Sequence, residues 1–239
     1  MITNKKEFGL GMLMIVSFFV VLGIIFMPLF NGHNGLEFFD NLFNSISKGS
    51  AYYISDLTKT SEKFNGKAID LTISYNVKDK DNVDKSAEFA EQAAKQLVAL
   101  GLEEAVATDK DVTIKGDLGK IVTGILKDAD SMYSNKGTEV SDRYNGADHK
   151  KVMSTWWETL KLTNRALLKQ EKFEEAMFCD KIMKKGVEPA YNFYGIDAQK
   201  ISANIVIVVS CLVFYVIYTL WYGFAILFLF EGFGLQIGH

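Results

Sequence analysis

Acidic residues gather between Asp79 and Asp84 in the order that begins a calcium-binding loop. Carboxylate oxygens at alternate positions are ligands that Ca²⁺ prefers. The rest of the pattern fails, because the loop needs an oxygen ligand at Val83, a glycine at Asp84 and a glutamate at Ala90. We therefore predict a solvated turn that caps the following helix, and no calcium site.

Two glycine-containing segments could hold phosphate groups. Residues 116–120 are similar to the end of a phosphate-binding loop, but Ile114 stands where the leading glycine belongs and Ile121 where the magnesium-binding Ser or Thr belongs. The glycines within residues 232–238 follow an apolar run instead of a strand, so they do not fit a dinucleotide-binding turn. The sequence predicts no phosphate-containing cofactor.

The histidines and cysteines are too few and too scattered for a catalytic or metal site. Asp148 and His149 are adjacent and point in different directions, so they are not expected to form a triad with Ser154. Cys179 lies in a polar segment and Cys211 in an apolar one, which excludes a disulfide and the common zinc, haem and iron–sulfur motifs. We predict that the protein is not an enzyme and that it has no cofactor.

Polar and polarisable side chains recur on one face of the apolar run 203–230. Their spacings are seven, four, three and four, which is one side of a helix. The residues are Asn204, Cys211, Tyr215, Tyr218 and Tyr222. A hydroxyl near the middle of a bilayer is costly when it faces lipid, so this face is predicted to meet protein. We predict helix–helix contacts here, in part with Ser17 and Gly23 and in part with another chain.

The elements that must position this face are two apolar runs, residues 9–30 and 203–230, at opposite ends of the chain. Neither run contains Asp, Glu, Lys or Arg. Each exceeds the roughly 20 residues that a helix needs to cross a bilayer. The second run would be about 42 Å long, so it must tilt or protrude. The sequence predicts two transmembrane helices in contact with membrane lipid.

Charge is concentrated between these runs and has no basic stripe. The 26 Lys and Arg residues are interleaved with 29 Asp and Glu residues, and the net charge is -3. Nucleic-acid binders need clustered cations to neutralise phosphates. We predict no nucleic-acid partner.

Orientation follows from the first run. Lys5 and Lys6 precede it and favour a cytoplasmic N-terminus, and two spans then return the C-terminus to the cytoplasm. The lysines Lys184, Lys185 and Lys200 argue the other way, but the positive-inside rule is weak for long loops. We predict a bacterial or archaeal-type plasma membrane protein with an extracytoplasmic central domain.

The central region combines a small β component with helices. Residues 67–77 alternate apolar and polar side chains and predict a strand, followed by a helix over 86–100 that ends at Gly101. A second strand is expected over 105–114, and Asp117 is expected to cap another helix. Two strands make a thin sheet, so we expect a further strand or a partner to complete it.

Helical spacing dominates the remaining segments. Residues 36–57 are amphipathic. This is typical either of a helix in the membrane interface or of a core helix at the membrane-facing end of the domain that is interrupted at residues 48–50. A continuous helix is predicted over 148–185, ending at Gly186 before Pro189. Aromatic residues then lead into the second run, where they fit an interfacial belt or packing on the domain.

These patterns predict an α+β membrane protein with two transmembrane helices flanking a mainly helical extramembrane domain. The predicted segments are a tail 1–8, transmembrane helix 9–30, juxtamembrane amphipathic helix 31–65, small α/β lobe 66–135, long helix and aromatic linker 136–202, transmembrane helix 203–230 and tail 231–239. The favoured function is a non-catalytic accessory or structural subunit of a larger integral membrane complex. A ligand-sensing ectodomain that signals through a partner, and a two-span homo-oligomeric scaffold or pore, remain alternatives.

Overall fold

The fold was obtained as a computed structural model that describes residues 2–102 and 104–235. Met1, Glu103 and residues 236–239, which include the end of the predicted C-terminal tail, lie outside the described residues. The chain forms two compact units. One contains residues 1–49 and 198–239, and the other contains residues 50–197.

The described residues are mainly helical, with one small sheet. The α-helices are α1 (Lys5–Ile25), α2 (Gly35–Ser50), α3 (Ile54–Ser61), α4 (Ser86–Ala99), α5 (Leu118–Tyr133), α6 (Gly137–Arg143), α7 (His149–Lys169), α8 (Phe173–Ile182), α9 (Glu188–Asn192) and α10 (Ile201–Gly232). The strands are β1 (Ala68–Ser74), β2 (Glu104–Thr108) and β3 (Asp111–Asp117). A short 3₁₀ turn (Glu62–Phe64) follows α3, and a π turn (Met183–Val187) joins α8 to α9.

Helices α1 and α10 are each long and apolar enough to cross a membrane. Their most apolar 18-residue windows have mean hydropathies of 2.6 and 2.3. Only 6% of the first window and 0% of the second is buried, so neither is the core helix of a globular fold. Helix α1 begins at a capped end, where the Asn4 side chain accepts hydrogen bonds from the N–H groups of Lys6 and Glu7.

The amphipathic segment 36–57 is divided by a break. Helix α2 ends at Ser50 and α3 begins at Ile54. Leu42 and Ile46 of α2 are buried, while Leu36 and Phe43 are exposed. The apolar periodicity is therefore present in α2, but the helix is shorter than the pattern suggests.

The sheet lies in the unit of residues 50–197 and has the antiparallel order β1-β3-β2. Ile69, Leu71 and Ile73 of β1 point to the core, which confirms the predicted alternation. The second predicted strand is instead a hairpin, since Asp109 adopts a φ of 54° and turns the chain between β2 and β3. The expected further strand is therefore supplied by this chain.

The core of that unit lies between the sheet and helices α5 and α7. Trp156 is fully buried there, together with Ile125, Met132 and Leu160. The Asp117 side chain caps α5 by accepting a hydrogen bond from the Gly119 N–H at 2.8 Å, as predicted.

The predicted continuous helix 148–185 is wrong in two places. It breaks after Lys169, where Glu171 adopts a φ of 59° before α8 begins. It also does not end at Gly186, because the chain passes through the π turn into α9. Pro189 has no N–H and crowds the carbonyl group four residues before it, which accounts for the widened turn.

Candidate functional site

The first candidate site is the antiparallel contact between α1 and α10. The Trp221 Nε1–H donates a hydrogen bond to the Met14 carbonyl oxygen at 3.1 Å, and the Tyr218 hydroxyl donates to the Phe18 carbonyl oxygen at 3.2 Å. Each bond connects a polar side-chain group of α10 to a backbone carbonyl group of α1. This satisfies both polar groups within the helix pair.

Glycines let the two helices approach closely. A Cβ atom at Gly11 would lie 2.8 Å from the Leu229 backbone nitrogen and 3.0 Å from the Ala225 carbonyl oxygen. A Cβ at Gly232 would lie 2.6 Å from the Phe8 Cβ. Any larger residue at these two positions would push the helices apart, so small side chains set the spacing of the pair.

The sequence-predicted polar face divides into separate environments. Tyr218 and Tyr222 lie against α1, with ring centroids 4.2 Å and 5.0 Å from that of Phe18. The Asn204 side chain instead bonds locally to the Gln199 side-chain oxygen at 2.8 Å. The face is thus only partly covered by the helix that packs on it.

Tyr215 lies at a part of the face that α1 leaves open. Tyr215 is 67% exposed, and its hydroxyl has no hydrogen bond to any other residue that the structure describes. Cys211 is a half-buried free thiol. The Tyr215 side chain therefore projects from α10 without a hydrogen-bond partner among the described residues.

The predicted contacts of Ser17 and Gly23 with α10 do not include a hydrogen bond or a close glycine approach among the described residues. The Ser17 hydroxyl donates to the Leu13 and Met14 carbonyl oxygens of its own helix, and a Cβ at Gly23 would meet nothing within 4 Å. Gly11 and Trp221 make the contacts instead. The heptad spacing of Tyr218, Ala225 and Gly232 is the sequence signal that would have identified this side of α10.

The unit of residues 50–197 contains a buried polar cluster around Asp128. The Asp128 carboxylate accepts hydrogen bonds from Arg143 Nε at 2.8 Å, the Tyr144 hydroxyl at 2.5 Å and Trp156 Nε1 at 2.8 Å. Burial raises the pKa of this carboxyl group, while the Tyr144 and Trp156 hydrogen bonds and the Arg143 charge oppose the rise. All three donors are hydrogen-bonded to the same carboxylate, so the cluster connects α5, α6 and α7 and has a structural role.

A pocket of about 370 Å³ lies between the segment after β1, helices α4 and α7, and the π turn with α9. Its apolar and aromatic walls are formed by Val77, Phe89, Met153, Trp157, Val187 and Tyr191. This volume falls within the range of about 300 to 1,000 Å³ that is usual for small-molecule sites. The pocket is the second candidate site.

The motifs considered for catalysis or metal binding have structural roles. Asp79 Oδ1 accepts the N–H groups of Asp81 and Val83 and so closes its own turn. Asp148 caps α7 through the Lys151 N–H, and the Ser154 hydroxyl donates to the Lys151 carbonyl oxygen. Within residues 2–102 and 104–235, no group of three His, Cys, Asp or Glu side chains could hold a metal ion.

Comparisons with models of known protein families, with curated proteins and with solved structures found no match. The helix pair and the aromatic pocket are the two candidate sites. They belong to different units of the chain, and each offers a distinct kind of contact.

Proposed function

We propose that the protein is an integral membrane protein in which α1 and α10 span the bilayer. The support is the long, apolar and largely unburied surface of both helices, which carry charged residues only in their end turns. Val206 and Leu212 of α10 are 74% and 59% exposed. Many other apolar side chains of this helix are exposed as well. Exposing so large an apolar surface to water is unfavourable, whereas the hydrocarbon core of a bilayer accommodates it.

The proposed orientation places both termini in the cytoplasm and residues 50–197 on the extracytoplasmic side of a bacterial or archaeal-type plasma membrane. It rests on Lys5 and Lys6 before α1. A cysteine introduced at exposed Asp81 in a Cys211→Ala background tests it with a membrane-impermeant maleimide on intact cells. Labelling of the cysteine at position 81 on intact cells supports this orientation. Labelling only after lysis would indicate the opposite orientation.

Within the membrane, the proposed role is that of a non-catalytic accessory or structural subunit. The observation that carries this proposal is Tyr215, whose ring and hydroxyl project from an apolar helix without a described partner. A lone hydroxyl facing lipid tails loses its hydrogen bonds to water without replacement. A polar group on a transmembrane helix of another subunit would satisfy it, and the aromatic ring would add packing area.

A photocrosslinking amino acid at position 215 tests this role directly. The matched control is position 213, because residues two apart lie about 200° apart on a helix and at nearly the same depth. Val213 is also exposed. The proposal predicts a discrete adduct with a foreign membrane protein from position 215 and only lipid adducts from position 213. Equal adducts from both positions would overturn it.

A homo-oligomeric scaffold or pore is the second candidate, favoured by the position of Cys211 on the same side of α10 as Tyr215. In a symmetric dimer, a residue on the shared face approaches its own copy. Oxidation of native membranes would then give a dimer linked through Cys211 that is absent from the Cys211→Ser variant. The accessory role predicts no such dimer.

A further inference from the structure

The aromatic pocket has a chemical character that none of the preceding roles uses. Three aromatic rings, those of Phe89, Trp157 and Tyr191, line it together with the carboxylates of Glu158 and Glu188. The lining contains no Lys, Arg or His side chain. Electron-rich ring faces beside negative charges attract cations and disfavour anions.

The Glu188 carboxylate is left available by the way its neighbours are engaged. Lys184, one turn before it, pairs with Asp180 at 2.9 Å. Lys185 instead places its ammonium over the Tyr53 ring, 4.9 Å from the centroid. Among the described residues, Glu188 forms no ion pair, and it is exposed at the pocket.

The π turn places Glu188 at this pocket. The Glu188 N–H donates to the Met183 carbonyl oxygen, five residues back, so the chain gains an extra residue in this turn before α9. Val187, Glu188 and Tyr191 consequently line the same pocket. Such π turns occur often at functional sites, and this one is present where Pro189 makes a regular helix unfavourable.

Trp157 already serves as a cation site in the folded chain. The Lys161 ammonium lies 4.8 Å from the centroid of the Trp157 ring and also pairs with Glu158 at 3.2 Å. This arrangement neutralises Glu158 from the protein side. Glu188 is then the carboxylate that a ligand can meet.

We propose that this pocket binds a small free ammonium compound, in particular a quaternary ammonium with an apolar body. The methyl groups pack against the aromatic rings, and the positive charge lies near Glu188. A quaternary ammonium suits the site because it donates no hydrogen bonds and is weakly hydrated. The inference does not depend on which membrane partner α10 contacts.

The test is calorimetric titration of the full-length protein in a neutral maltoside detergent. Choline is the probe, and 3,3-dimethyl-1-butanol is its uncharged analogue of the same shape. We expect saturable choline binding that is about tenfold tighter than binding of the alcohol. Equal affinities, or no saturable choline binding, would overturn the proposal.

Variants locate the binding. Glu188→Gln should weaken choline binding about three- to fivefold, whereas Glu62→Gln, which removes a charge elsewhere in the same unit, should not. Tyr191→Leu, at an exposed ring, should weaken it about two- to fivefold. Unchanged affinity in both pocket variants would place choline elsewhere and overturn the assignment.

A final titration separates a free solute from a lipid headgroup. Dihexanoylphosphatidylcholine, used below its micelle concentration, carries the same cation next to a phosphate and two acyl chains. Choline that binds at least as tightly as this lipid supports a site for a free ammonium solute. Binding of the lipid without binding of choline would contradict a site for a free solute and would indicate a site for a lipid headgroup.

Discussion

Tyr218 contacts Phe18 in two ways: its hydroxyl donates a hydrogen bond to the Phe18 carbonyl oxygen at 3.2 Å, and the two rings stack with centroids 4.2 Å apart. Tyr218→Phe removes only the hydrogen bond. We expect the free energy of separating α1 from α10 to fall by about 1 kcal/mol. Thermal unfolding in detergent, followed by circular dichroism, would show a lower midpoint.

The matched control for this change is Tyr215→Phe. Its hydroxyl contacts no other described residue, so the isolated chain should keep its midpoint. A loss of stability in Tyr215→Phe equal to that in Tyr218→Phe would contradict the described helix pair.

The close approach at Gly11 gives a second prediction. Gly11→Ala should destabilise the helix pair, because the new methyl group would lie within 3.0 Å of backbone atoms of the facing helix. Gly9→Ala is the control two residues away, where a Cβ meets nothing within 4 Å. Since alanine favours helix by about 1 kcal/mol over glycine, Gly9→Ala should be neutral or stabilising. Equal effects of the two variants on the unfolding midpoint would exclude the contact.

The Asp128 cluster predicts a pH dependence of stability. Because burial raises the pKa of this carboxyl group, the folded state holds its proton to higher pH than the unfolded state does. The stability contributed by this group is therefore present below the ordinary pKa of about 4 and is lost as the pH rises through the folded pKa. We expect the stability of the wild type relative to Asp128→Asn to fall across that window.

Unfolding midpoints of both chains, measured from about pH 4 upward, check this sign. Comparing the two chains at each pH cancels the contribution of all other titrating groups. A relative gain in wild-type stability with rising pH would mean that the bonds from Arg143, Tyr144 and Trp156 outweigh burial.

The two cysteines should both resist a charged maleimide in native membranes, for different reasons. Cys179 is buried, and burial raises its pKa to about 12, so its thiol stays protonated. Cys211 lies within α10, which we propose is surrounded by hydrocarbon. The Cys179→Ala variant isolates Cys211. Rapid labelling of that variant before detergent denaturation would indicate a water-lined face and would favour the pore.

The sequence was most informative where one physical signal dominates. Apolar runs without charge identified α1 and α10, and strict alternation identified β1. Asp117 and Gly101 were recognised as helix ends because capping is a local property of one residue. Such features depend little on the rest of the fold.

The features that the sequence does not predict depend on contacts between helices or on turns that lack Gly and Pro. The turn at Asp109 and the break at Glu171 contain neither Gly nor Pro. Pro189 predicts that the helix ends before it, whereas a π turn accommodates this residue. Which glycine of α1 faces α10 also depends on how the two helices are rotated, and residue spacing within α1 alone does not fix that.

The central proposal, an accessory subunit of a larger membrane complex, is tested most directly by purifying the tagged native protein in a mild detergent. Mass spectrometry identifies the chains that remain bound, and light scattering gives the particle mass. The proposal predicts foreign membrane subunits in stoichiometric amounts. A particle whose protein mass is a clean multiple of 26.8 kDa, with no other chain, would contradict it and favour the homo-oligomeric scaffold or pore.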